Sequence, residues 1–294
     1  MESVAELSRV AISKILLATD FSSESQLALQ YALSLAKRYE SKLFIAHAVP
    51  PDAGTTSVEM QLPVHDLMQS NAERNVALLE QTEELKSFPH EVIVESGEAW
   101  EVLKEVACNK SIDLIVMGTH GRGGISKLLS GSTAEKVIRH ARCPVLTVGP
   151  QVRPLSLGRF GHILYATDFS DGSMRALTYA LSLAKEDGGE LTMLHVIESN
   201  PVSESELIEW KLDDRRKLNQ LIPPDIDLSC KAEIEVEVGA PAEEIVCLAG
   251  SRNAELIVMG CRGGGGAVST HLPWSTLHHV LQHAPCPVLT VRNE

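Results

Sequence analysis

The residues best suited to chemistry lie between positions 118 and 133. Gly118-Thr119-His120-Gly121 is followed by nine residues and then by Gly131-Ser132-Thr133, which opens a predicted helix. Glycine lets the backbone approach a ligand closely and adopts positive φ without steric cost. A helix N-terminus presents unpaired N–H groups and the positive end of the helix dipole, so the arrangement suits a polyphosphate. It is not a Walker A loop, which needs Gly-Lys-Ser/Thr, and the dinucleotide Gly-x-Gly-x-x-Gly is missing after the first predicted strand. The same residues also read as turn glycines followed by an ordinary capping box, Ser132-x-x-Glu135. Spacing alone leaves both readings open.

The elements that must position this loop are found by looking for internal repeats. Ala18-Thr19-Asp20-Phe21-Ser22 recurs as Ala166-Thr167-Asp168-Phe169-Ser170, an offset of 148, and the same offset carries Tyr31–Lys37 onto Tyr179–Lys185 and His47 onto His195. Leu114–Gly118 returns as Leu256–Gly260, and Cys143–Val148 as Cys286–Val291. One domain is therefore duplicated: residues 1–149, a linker over 150–161 punctuated by Pro150, Pro154 and Gly158, and residues 162–294. The first copy has the longer connection after its second strand, Pro50–Pro63.

Within each copy, short apolar runs alternate with helical patterns, the signature of a doubly wound α/β fold with a parallel sheet flanked by helices. The first copy's strands are expected near Lys14–Thr19, Lys42–Val49, Glu91–Glu95, Asp113–Met117 and Val145–Val148. Leu27, Ala28, Tyr31, Ala32, Leu35 and Ala36 form one apolar helical face, with Ser22 or Ser23 available as its cap. Strands one, two and four are continuously apolar, as in buried parallel strands, whereas Ala232–Val238 alternates apolar residues with glutamates. The third strand of each copy is therefore expected at a sheet edge.

Composition narrows the partners. With 26 basic against 39 acidic residues the chain carries a formal charge of −13, the wrong sign for neutralising nucleic-acid phosphates, and Arg262 beside Gly263–Gly266 makes no local basic patch. The apolar runs are strand-sized, well short of the ~18 residues of a membrane span. Met1–Val10 reads as neither a signal nor a transit peptide. Six scattered cysteines without a Cys-x-x-Cys pair point to a reducing cytoplasm.

The first strand ending in Ala-Thr-Asp-Phe-Ser, the Leu-Ile-Val-Met-Gly fourth strand, Gly-x2-Gly-x9-Gly-Ser and the final Cys-Pro-Val-Leu-Thr-Val together resemble the universal stress protein family, here as a tandem pair and in its ATP-binding branch. The resemblance implies two five-stranded parallel sheets of order 3-2-1-4-5, each with helices on both faces. It also implies an adenine nucleotide, ATP with or without Mg²⁺, lying across the carboxyl ends of strands one and four, where open α/β sheets bind ligands. On that likeness Ala18, Thr19 and Asp20 contact base and ribose, and Ala48 lines the adenine pocket. Met117 and Gly118 hold the base and ribose side, Gly121 turns over the phosphates, and Gly131, Ser132 and Thr133 cradle them. Asp20 has an alternative role as a helix cap or turn former. The halves are expected to pack as an intramolecular pseudo-dimer through their last strands, and whole chains to pair as a homodimer.

The second copy departs from this pattern. Ten residues, not nine, separate Gly263 from Trp274-Ser275-Thr276, and Trp274 stands where the cradle glycine should be, with Pro273 beside it. An indole adds on the order of 200 Å² of surface, and proline removes an N–H donor, so this copy is expected to be degenerate for ATP. His279 and His283 stand four apart but read as structural rather than metal ligands, His47 and His195 as pocket-wall residues, and Cys143 and Cys286 as small buried residues. No catalytic set is expected. Three functions remain: an ATP-binding regulatory protein of the stress response with slow or no hydrolysis, an ATP hydrolase or phosphotransfer enzyme, and an interaction module without nucleotide. The missing Walker-type lysine and general base weigh against the enzyme.

Overall fold

The computed structural model describes residues 10–51, 64–86, 88–119, 133–154, 159–198, 203–223, 232–261 and 274–292. They fall into two compact units, Ala11–Val137 and Ile138–Glu294, the latter grouped with the N-terminal residues through Val10.

In the first unit the chain alternates β1 (Lys14–Ala18), α1 (Ser23–Tyr39), β2 (Lys42–Val49), α2 (Val64–Glu80), α3 (Glu83–Lys86), β3 (His90–Ser96), α4 (Ala99–Lys110), β4 (Leu114–Gly118) and the start of α5 (Thr133–His140). The strands lie in the order β3-β2-β1-β4 and all these pairings are parallel. Ile15, Leu16 and Leu17 are each wholly buried. Successive residues of a strand point to opposite faces, so both faces of the sheet are covered. Residues of β3 are half-buried or exposed, and this strand sits at the edge, as the sequence predicts.

The second unit carries β5 (Val145–Val148), β6 (His162–Thr167), α6 (Asp171–Asp187), β7 (Glu190–Ile197), α7 (Glu204–Gln220), β8 (Ala232–Val238), α8 (Pro241–Ser251), β9 (Leu256–Cys261), α9 (Trp274–His283) and β10 (Val288–Arg292). Parallel pairing gives β8-β7-β6-β9-β10, the expected order 3-2-1-4-5 for this copy. β5 runs antiparallel beside β10, with Thr147 Oγ1 donating to the Val288 carbonyl and Thr290 Oγ1 to the Val145 carbonyl. The division therefore falls inside α5, and β5, which the repeat assigns to the first copy, groups with the second. The residues before β6 are anchored: Phe160 is buried and its N–H donates to Asp187 at 2.9 Å.

Helix α1 confirms the apolar face, with Leu29 buried and Leu27 only half-buried, and Ser22 is its cap, accepting from the Ser25 N–H at 3.2 Å.

Candidate functional site

The turn from β1 into α1 is built by short polar side chains. Thr19 Oγ1 accepts from the Phe21 N–H at 3.1 Å and donates to Ser25 Oγ, also at 3.1 Å. One Asp20 oxygen accepts from the Ser22 N–H at 3.0 Å and from the Ser22 hydroxyl at 2.6 Å. These bonds hold Phe21 in the left-handed region, φ 62°, an uncommon conformation for a bulky residue and one that needs such support. The Phe21 ring lies 4.6 Å from that of His47, whose Nδ1 donates to the Thr19 carbonyl at 2.7 Å.

The second copy repeats this elbow around Asp168, with Phe169 at φ 59° and the His195 ring 4.5 Å away. Asp20 is thus a turn-forming residue whatever else it does. Replacing either Asp20 or Asp168 by alanine is expected to cost about 1 kcal/mol, or about 3 °C in Tm, in ligand-free protein. Differential scanning calorimetry checks this, and an unchanged Tm in both variants contradicts it.

At the carboxyl ends of β1, β2 and β4 lies a cavity of about 350 Å³. Seven of the ten residues predicted for the site line it: Ala18, Thr19, Asp20, Ala48, Met117, Gly118 and Thr133. Gly121, Gly131 and Ser132 lie outside the described residues. Gly118 has a packing reason of its own, because a Cβ there would stand 3.1 Å from Glu24 Cβ, so its absence lets the first turn of α1 approach β4. Sequence reasoning missed Ser25, Ala99, Leu103, Thr119 and Ala134 as wall residues. Ala99 and Leu103 stand one helical turn apart at the start of α4, a signal that was readable. The walls are largely apolar, and apart from His47 the only ionisable side chain among the described lining residues is Asp20.

The second unit also holds a cavity of about 350 Å³, but its walls differ. Ala166, Thr167, Asp168 and His195 recur, as do Pro241 and Ile245 of α8 at the repeat positions of Ala99 and Leu103, and they are joined by Trp210, Asp213, Asp214 and Lys217 of α7. Lys217 bonds to Asp214 at 2.8 Å and to Asp213 at 2.9 Å, and these carboxylates hold its ammonium above the usual lysine value. α9 opens at Trp274, and residues 262–273, including Pro273, lie outside the described ones.

The remaining sequence features are structural. His279 and His283 stack at 4.2 Å, and His283 Nδ1 donates to the His279 carbonyl. Among the described residues no group of three His, Cys, Asp or Glu side chains is placed to hold a metal. Burial pushes the Cys286 thiol up to about 12, so it is protonated at neutral pH. Cys143, in contrast, is only half-buried.

The two units define a duplicated open-sheet α/β protein with a ligand-sized cleft at the switch point of its first sheet. The sequence pattern of the universal stress protein family matches residues 11–149 and again 159–292. A universal stress protein of Methanocaldococcus jannaschii is 33% identical over 46% of this chain and 81% of its own length. One of Mycobacterium tuberculosis is 28% identical over 95% of this chain and 96% of its own. The crystal structure of a universal stress protein from Archaeoglobus fulgidus superposes with a TM-score of 0.73 at 25% identity, covering 98% of both chains. The chain belongs to the universal stress protein family, as a tandem pair of its domains. No helix among the described residues is long and apolar enough to cross a membrane.

Proposed function

We propose that the first domain holds one molecule of ATP and that the protein acts as a nucleotide-dependent regulator in the stress response rather than as a fast enzyme. The observation carrying this reading is the convergence of Ala18, Thr19, Asp20, Ala48, Met117, Gly118 and Thr133 on one cavity at the strand ends. The apolar β1, β2 and β4 side suits the adenine, Asp20 can accept ribose hydroxyls, and the Thr133 end opens α5, whose unpaired N–H groups suit phosphates. Slow or absent turnover accords with walls that offer, in their described part, no cation to stabilise a transferring phosphoryl group. We place its action in the cytoplasm, in keeping with the free thiols of Cys108, Cys247, Cys261 and Cys286.

Mass spectrometry of ligand released from purified protein, followed by calorimetry with ATP on stripped protein, tests the reading. One adenine nucleotide per chain is expected. Two equivalent sites, or no heat and no retained nucleotide, would overturn it, and rapid phosphate release with Mg²⁺ and ATP would replace the regulator by a hydrolase.

A further inference from the structure

The cavity of the second unit is the counterpart of the first cleft with one side changed: eight of its fourteen lining residues, Asp168, Val196, Pro241 and Ile245 among them, stand at repeat positions that line the first cleft. The first opens between β1 and β4 and is lined by Met117 and Gly118 at the end of β4. In the second, no residue of Leu256–Cys261 lines the space, which lies over β6 and β7 and is walled by α7 and α8. Beside β9, α6 lies closer than α1 does beside β4. A Cβ at Gly260 would stand 2.4 Å from the Ser173 nitrogen and 2.5 Å from the Gly172 carbonyl carbon, against 3.1 Å from Glu24 Cβ for Gly118. The repeat places Gly172 where the first copy has Glu24, so a missing side chain permits the closer approach.

What lines the changed side of this cavity has a consistent chemistry. Trp210 supplies an aromatic surface, and Asp168, Glu198, Asp213 and Asp214 supply four carboxylates against the one ammonium of Lys217. Lys217 itself shows how an alkylammonium is received here: it bonds to both α7 carboxylates and its Nζ lies 5.7 Å from the centroid of the Phe169 ring. Asp214 is also 3.7 Å from His195 Nε2, and its side chain is only 13% exposed. A polyphosphate would meet like charge at this wall, whereas an ammonium group on an aliphatic stem gains charge-assisted hydrogen bonds and an aromatic contact.

We propose that this cavity is a binding site for a small aliphatic amine, a di- or polyamine that shares the Asp213 and Asp214 carboxylates with Lys217. The test is calorimetric titration of the full chain with spermidine at low ionic strength. One saturable equivalent is expected, weakened about tenfold or more in Asp213→Asn/Asp214→Asn and strengthened about tenfold in Lys217→Met, which leaves Asp213 with only its 3.8 Å pairing to Arg216 and Asp214 with its 3.7 Å approach to His195. Because a chain of charge −13 attracts polyamines everywhere, Glu83→Gln/Glu84→Gln on α3 removes the same two charges elsewhere and should change binding by no more than about twofold. The gain in Lys217→Met is an effect that damaged folding would not produce. Absence of saturable binding in both the native chain and Lys217→Met, or equal weakening by the two double variants, would overturn the proposal.

Discussion

In Gly131→Trp the affinity for ATP is expected to fall about 100-fold or more, close to 3 kcal/mol, with adenosine affinity falling far less. The substitution imitates the second copy, where Trp274 stands at the corresponding position. Thr133, two residues further on, opens α5 and lines the first cavity, so residue 131 immediately precedes the helix end where the phosphates are proposed to sit. An indole there adds on the order of 200 Å² of surface where backbone N–H groups must come within hydrogen-bonding distance of phosphate oxygens. The adenine end, walled by Ala18, Ala48 and Met117, is untouched, and that is why the nucleoside should report little change. Calorimetry with both ligands separates the outcomes. Unchanged ATP affinity means that the phosphates lie elsewhere, and an equal loss of both ligands means that the damage is to the fold rather than to the cradle.

Much of this arrangement was readable from the repeat. Strands β2 and β5 occupy the predicted residues, β1 ends one residue earlier, β3 is one residue longer at each end and β4 lies one residue further on, because each is bounded by polar or turn-forming residues that end the apolar run. The edge position of β3 and β8 followed from their glutamates, since a strand buried on both faces cannot carry alternating charge. The elbow was legible as a motif, but not its cause: Asp20 and Asp168 recur in both copies because each closes a turn around a left-handed phenylalanine, a backbone conformation that no propensity reveals. From the repeat alone the grouping of β5 with the second unit was not legible either, because the repeat marks descent of the segment and not its contacts. Nor was the closer approach of α6 to β9: Trp274 stands out in the sequence, whereas the effect of Gly172 in place of Glu24 appears only when the helix is set against the strand.

That close approach carries the other large expectation. Gly260→Ala should destabilise the protein by about 3 kcal/mol, lowering Tm by about 6–12 °C, while Gly118→Ala costs about 1 kcal/mol or less. At Gly260 the added methyl meets backbone at 2.4, 2.5 and 2.7 Å, the nitrogen of Ser173, the carbonyl carbon of Gly172 and the Cα of Ser173 in turn, and a helix backbone cannot turn aside as a side chain can. The first turn of α6 is held from several directions. Ser170 caps it, Thr167 Oγ1 bonds to Ser173 Oγ at 2.9 Å, and the buried Tyr165 hydroxyl donates to the Ser173 carbonyl at 2.7 Å. Relief therefore requires the helix to move as a unit and those bonds to stretch. At Gly118 the nearest atom is the Cβ of Glu24, at 3.1 Å, a contact that a few tenths of an ångström relieve. Paired calorimetric melts of the two variants decide the matter: equal shifts would mean that α6 yields as easily as α1, and that its close approach to β9 is not the rigid feature the packing indicates.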